Sequence, residues 1–335
     1  MKALALPTIV ALAAVMSPAF ANDTTAVLGA GGLTFVTTDK VEMASEDLTV
    51  SPTKVTVVYK FKNDADTDQH VLVAFPMPDI TGDGDFTVGI PTDDPQNIFG
   101  FKTTFDGKPV DAVLHQNAFA VGIDETDYLK KLGVPLAPYG DATQKAVDAL
   151  SDADHQRMLQ LGLVIPMDPD FTPMWTLKSA YTWEANFPAN KTVTVVHTYT
   201  PSLGGTVATT FLAPPSGSDD EDRPAEYKKK YCTDDDFINS VKKTMKDPKD
   251  LYSAPYTESW LSYVWSTGDN WNGPIHDFHL TIDKGDPKAL VSFCWDGKVT
   301  KTGPTTFSMS ATDFSPPYDH ELEILLLNPM QSPSN

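Results

Sequence analysis

Residues 266–283 read STGDNWNGPIHDFHLTID and concentrate side chains able to do chemistry: two histidines, several aspartates and a tryptophan in a turn-rich head. The second half alternates as a strand, which places His276, Phe278, Leu280 and Ile282 on one side and Ile275, Asp277, His279 and Thr281 on the other. His276 and His279 then point apart, so the H-x-x-H spacing does not make a two-ligand metal clamp. Asp277 and His279 share a side, as a carboxylate-oriented general base requires. With a serine from a distant loop they would define a secreted hydrolase; a solvated strand face gives the same pair without chemistry. Trp271 and Asn270 offer a recognition lip, joined by Trp260 and Tyr263, that would stack on a sugar ring or an apolar ligand. The competing reading packs Trp271 over the end of a sheet.

Other constellations are weaker. His320-Glu321-Leu322-Glu323-Ile324 starts like a zinc-protease helix, but Ile324 stands where the second histidine belongs. Gly29-Ala30-Gly31-Gly32 precedes a strand-like run instead of a helix, so it does not fit a dinucleotide loop. Asp79, Asp83 and Asp85 alternate around glycines as calcium ligands would, yet Ile90 holds the position that needs a bidentate carboxylate. His70, His115, His155 and His197 have no shared spacing. No catalytic set, hydrolase elbow or phosphate loop emerges, and no cofactor is implied.

The elements that must position these residues follow an expected leader. Lys2, the apolar run Leu4–Val15 and Ala19-Phe20-Ala21 form a secretory signal, cut after Ala21. No later stretch is long and apolar enough for a membrane helix. The formal net charge of −20 opposes nucleic acid, since phosphate binding needs clustered lysine and arginine. Two cysteines, Cys232 and Cys294, read as one disulfide in an oxidising compartment, with a reactive or metal-binding thiol as the alternative.

Val55–Phe61 with His70–Met77, and Thr176–Phe187 with Lys191–Pro201, read as two β-hairpins. Between them, residues 124–162 carry helix signals, with Asp124, Asp141 and Ser151 as caps and Gly162 as a stop. Residues 213–226 are an acidic linker in composition. Beyond it, Asp234–Met245 and Glu258–Val264 read as helices, before strands at Ile275–Ile282, Ala289–Phe293, Thr306–Met309 and His320–Leu327. The expected architecture is mainly β with α insertions: a β-sandwich N-terminal lobe over residues 22–212, then a smaller α+β lobe over 227–335 that holds the cysteines.

NDTTAVLGAGGL (22–33), KVEMASEDLTVSP (40–52), VTVVYKFKN (55–63) and VAFPMPDI (73–80) occur in that order, followed by Tyr231-Cys232, TGDNWNGPIHDFHLTIDKGDP (267–287) and LVSFC (290–294). In these motifs the chain resembles the bacterial secreted proteins grouped as domain of unknown function 4424. The resemblance implies export in a Gram-negative bacterium, β-rich structure and structural cysteines, and it brings no activity with it. The expectation is a non-enzymatic periplasmic protein that binds a small ligand or an envelope protein. The rival readings are the hydrolase and a calcium-stabilised structural protein.

Overall fold

Alternating β-branched and aromatic residues build strands, which outnumber helices in the regular structure of the chain. The structure is a computed structural model and describes residues 22–29, 32–83, 87–92, 94–167, 170–213, 223–247, 249–317 and 319–330. The expected leader, Ala30 and Gly31, Asp85 and most of the acidic 213–226 stretch lie outside the described residues.

The chain opens with β1 (Thr24–Gly29), β2 (Gly32–Val36), β3 (Val41–Val50), β4 (Val55–Asn63) and β5 (Gln69–Pro76). Short strands β6 (Ile80–Thr81), β7 (Thr87–Val88), β8 (Lys102–Phe105) and β9 (Lys108–Val110) lead to β10 (Val113–Ala120) and β11 (Ile123–Asp124). Three helices follow: α1 (Thr126–Leu132), α2 (Asp141–Asp148) and α3 (Asp152–Gln160). Strands resume as β12 (Val164–Met167), β13 (Asp170–Pro173), β14 (Thr176–Phe187), β15 (Thr192–Tyr199) and β16 (Gly204–Thr206). Helices α4 (Arg223–Tyr231) and α5 (Asp235–Lys242) precede β17 (Tyr256–Tyr263) and β18 (Ile275–Asp283). The chain ends with β19 (Leu290–Phe293), β20 (Thr300–Lys301), β21 (Thr306–Phe314) and β22 (Leu322–Pro329).

Among the described residues, an eight-stranded sheet runs β20-β21-β18-β3-β4-β15-β8-β9. A seven-stranded sheet runs β11-β10-β14-β5-β1-β2, with β6 beside β14, and a five-stranded sheet runs β19-β22-β17-β16-β7. The two larger sheets pack through their apolar faces: Phe61 meets Phe187 at 5.7 Å and Phe75 meets Tyr199 at 5.8 Å between ring centres.

The two expected hairpins are not hairpins. β4 lies in the eight-stranded sheet and β5 in the seven-stranded one; β15 and β14 are divided the same way. Each connection arches between sheets, so the strands it joins face one another instead of sharing a ladder. Buried Asn63 fastens both arches: its side chain donates to the Thr67 and Phe187 carbonyls and accepts from Ala65 N, while its backbone N donates to Lys191 O. A polar turn signals that the chain reverses, but not whether the next strand bonds alongside or stacks across.

The expected division near residue 213 also gives way. β18 joins β3 in parallel, Asp277 opposite Ser45 and Ile282 opposite Val50, so the C-terminal region completes the sheet begun by the N-terminal one. Residues 223–226, expected as linker, form the first turn of α4. Glu258–Val264, expected as a helix, falls largely within strand β17, whose pairing with β22 overrides its helix-forming residues.

The helical insertion forms where expected and has its own core, with Leu129, Val147, Met158, Leu163 and Trp175 buried together. Ser151 caps α3 by accepting from Asp154 N, and Asp124 accepts from Thr126 N at the head of α1. Asp141 is already inside α2, whose cap is Gly140, a residue with positive φ. Cys232 and Cys294 form a disulfide, 62 residues apart in sequence and 5.1 Å between Cα atoms, which ties the end of α4 to the end of β19.

Candidate functional site

The glycine-rich head of the 266–283 stretch packs inward. Ser266–Asn270 forms a single 3₁₀ turn that delivers Trp271 into the core, where its ring lies 4.3 Å from Phe61 and 5.9 Å from Phe187. Trp271 and Tyr263 are both buried, and Asn270 donates its side-chain amide to Thr24 Oγ1. Trp260 is half-buried on β17. The structure therefore does not assemble these four residues into an open recognition lip.

Trp271, Asn270 and Tyr263 border a buried polar cluster instead, while Trp260 packs against a separate core with Phe211, Tyr227 and Leu325. Asn22, Asp23, Glu46 and His197 are each 0 % exposed. Asn22 N donates to Thr267 Oγ1, and the Thr267 hydroxyl donates to Asn22 O at 2.6 Å. The Asn22 side-chain amide donates to Glu46 Oε2 at 3.2 Å and to Trp265 O at 3.3 Å, and its oxygen accepts from the Tyr59 hydroxyl. Tyr263 donates to Glu46 Oε1 at 3.2 Å and lies 3.0 Å from Tyr59 Oη. His197 Nε2 stands 3.0 Å from both Asp23 oxygens, and Trp271 Nε1 donates to Asp23 O.

Loss of water shifts these groups. Burial pushes Glu46 up to about 8, partly offset by the hydrogen bonds from Asn22 and Tyr263. Burial also raises Asp23, against the opposing pull of His197. Both tyrosines are driven well above their ordinary range by the same cause.

An open cavity of about 200 Å³ lies beside this cluster, lined by Trp265, Trp295, Phe314 and Pro317, with Asp296 and His320 among its polar residues. The rings of Trp265 and Phe314 meet at 5.6 Å and 71°, and those of Trp295 and Phe314 at 5.7 Å and 36°. Phe278 of β18 backs the wall, stacking on Phe314 at 4.3 Å and on Trp295 at 5.9 Å. Trp265 is held on three sides: its ring N–H donates to His320 O at 3.1 Å, its backbone N–H to Glu321 at 2.8 Å, and its carbonyl accepts from Asn22. Glu321 also accepts from Ser266 Oγ at 2.6 Å, and burial raises its pKa despite these bonds. Cys294 borders the cavity, so the disulfide anchors the segment that carries Trp295. Aromatic faces with a carboxylate and an imidazole beside them suit a planar or sugar-like ring bearing polar substituents.

Trp265, Trp295 and Phe314 belong to none of the motifs the sequence offers as sites. The His320-Glu321 pair drew attention solely as a broken zinc signature. The usable signal was Trp295 directly after Cys294, with Trp265 two residues past the end of β17.

The remaining candidates disperse. Asp277 and His279 do pair, at 3.1 Å, but their side chains are 65 % and 51 % exposed. His276, expected beside Phe278, is exposed against Glu42 and Asp313, because Ile275 fills the core at the strand start and regular alternation sets in only at Phe278. Asp79 is engaged by Lys178 at 3.2 Å, and Asp85 lies outside the described residues. Among the described residues no group of three or more His, Cys, Asp or Glu side chains is placed to hold a metal ion. No helix among them is long and apolar enough to cross a membrane.

A mainly β protein with mixed sheets, a helical insertion and one disulfide is the class these features define. The chain belongs to the family described as "Domain of unknown function (DUF4424)", matched over residues 21–325. No curated protein matches it. Among solved structures it is similar to a Legionella pneumophila subsp. pneumophila str. Philadelphia 1 protein named as a "putative nutrient binding protein", at 15 % identity and a TM-score of 0.47, over 92 % of this chain and 70 % of that one.

Proposed function

We propose that the protein acts after export as a non-enzymatic binding module of the bacterial envelope, and that its ligand occupies the aromatic cavity at Trp265, Trp295 and Phe314. The cavity carries this reading: it is open, its walls are largely aromatic side chains, and Asp296 and His320 supply polar contacts. The ligand class is a small ring compound with hydroxyl or amine substituents, stacked on Trp295 and hydrogen-bonded by Asp296. The disulfide supports an oxidising compartment such as the periplasm, because cytosolic reductants keep such thiols open. The hydrolase reading has no comparable support, since the Asp277–His279 pair stands in solvent.

Tryptophan fluorescence titration against a panel of monosaccharides, short oligosaccharides and aromatic amines is the test, run on the wild type, Trp295→Ala and Asp296→Asn. At least one panel member should quench or shift the wild-type signal, and both variants should weaken that response about tenfold or more. A wild type that responds to nothing, or variants that bind as well as it does, would sink the assignment.

A further inference from the structure

The polar cluster around Asn22 is built about a residue that export turns into a chain end. Asn22 follows the A-x-A site at Ala19-Phe20-Ala21, yet it is fully buried, its backbone nitrogen donating to Thr267 Oγ1 and its side chain to Glu46. An exported protein ordinarily leaves its new terminus in solvent. This one draws Asn22, Asp23 and Thr24 out of water altogether.

Charge balance makes that placement informative. The cluster holds two carboxylates, Asp23 and Glu46, and His197 faces only Asp23. Glu46 meets the Asn22 amide and the Tyr263 hydroxyl, neither of which carries charge. A buried carboxylate without a cation is costly, and with no charged partner Glu46 avoids that cost by holding its proton, its pKa pushed up by burial. Leader removal supplies a cation at this spot: water adds across the Ala21–Asn22 peptide bond, the new carboxylate departs with the leader, and the freed amine on Asn22 takes up a proton. One N–H of that ammonium keeps the bond to Thr267, and two more become available inside the cluster.

We propose that the α-ammonium group freed at Asn22 is the buried counter-charge of Glu46, so that leader removal completes the core at the junction of β1, β3, β4 and the 266–271 turn. This rests on the export reading and on cleavage after Ala21. The uncleaved chain, with a neutral amide at the same nitrogen, leaves Glu46 without a positive partner. Processing therefore stabilises the fold as well as releasing it from the membrane.

The experiment uses full-length protein recovered from the periplasm. Mass spectrometry of the N-terminal peptide first establishes whether the chain starts at Asn22; another start removes the cleavage site on which the proposal rests. If it does start there, the folded and denatured protein are treated at neutral pH with an acylating reagent that modifies α-amines, and labelling at Asn22 is followed by mass. We expect labelling at least about tenfold slower in the folded protein, since the amine is reached only when the segment opens. Equal rates would overturn the proposal while leaving export intact. A chain processed to leave two extra alanines ahead of Asn22 should melt several degrees lower, on the order of 5 °C. In a Glu46→Gln background that penalty should shrink by at least half; an undiminished penalty assigns the loss to sterics and overturns the pairing. Should Glu46→Gln fail to fold, Thr267→Val serves as second background, with the labelling contrast falling toward unity as the expected result and an unchanged contrast as the contrary one.

Discussion

Trp265 and Trp271 stand six residues apart on either side of one 3₁₀ turn, and they face opposite fates. The Trp271 ring is locked against Phe61 and Phe187, and its N–H is spent on the Asp23 carbonyl. Trp265 is equally well held by Glu321 and His320, but it lines an open cavity with Trp295 and Phe314. The first region is a sealed polar core and the second an aromatic recess. The difference teaches that a tryptophan in a glycine-rich turn is no guide to a ligand; what its neighbours leave uncovered is.

The largest effect that can break this comparison is Trp271→Ala. Deleting a fully packed ring should cost about 3–5 kcal/mol, read as a lower denaturant midpoint; an unchanged midpoint would show that Trp271 is not core. Replacing both cysteines with serine should cost about 2–4 kcal/mol, because the open chain regains the freedom of a long loop. The same variant should loosen ring binding at Trp295 while leaving the Trp271 region intact, so loss of structure at both ends would blur the distinction. Trp295→Ala comes next: about 1–2 kcal/mol of stability for a half-buried ring, against loss of most ligand response.

A pH series sharpens the contrast at the base of the recess. Burial raises the folded-state pKa of Glu321, so between its unfolded and folded values the native protein holds more protons than the unfolded chain. Its contribution to stability therefore declines as pH rises from about 4.5 upward. Melting curves at pH 4, 5.5 and 7 should show Glu321→Gln escaping that part of the decline; parallel curves would place the carboxylate in an ordinary environment. The smallest effect is expected at the exposed pair on β18. Asp277→Asn or His279→Ala should leave the melting temperature within about 1 °C and ligand response unchanged, and a loss of function there would revive the hydrolase.

Much of the local structure was readable. Val55–Phe61, Thr176–Phe187 and Ile275–Ile282 announce strands by alternation, and Ser151 and Asp234 each accept the helix N–H their positions imply. The misreadings lie one level up. NDADTDQ and Pro188-Ala189-Asn190 mark chain reversals, yet whether β4 meets β5 in a ladder or across the core depends on partners distant in sequence, such as β15 and β14. The site was hidden for the same reason. Trp265, Trp295 and Phe314 converge only because β17, β19 and β21 all finish beside one cavity, and no spacing rule links them. His197 likewise carried no local mark of its partner Asp23, since the contact spans the two large sheets.

The parallel seam between β3 and β18 has a consequence for biogenesis. Its two edges are separated by more than two hundred residues of chain, Ser45 against Asp277 at one end. A polypeptide made from its N-terminus presents β3 long before β18, and that strand stays without a neighbour on one side until the final quarter has been made. Long-range parallel joining of this sort is slow, and an open edge invites association with other chains meanwhile. The nascent molecule thus depends on being kept apart from its siblings until β18 arrives, and its last segments set the pace at which the fold can close.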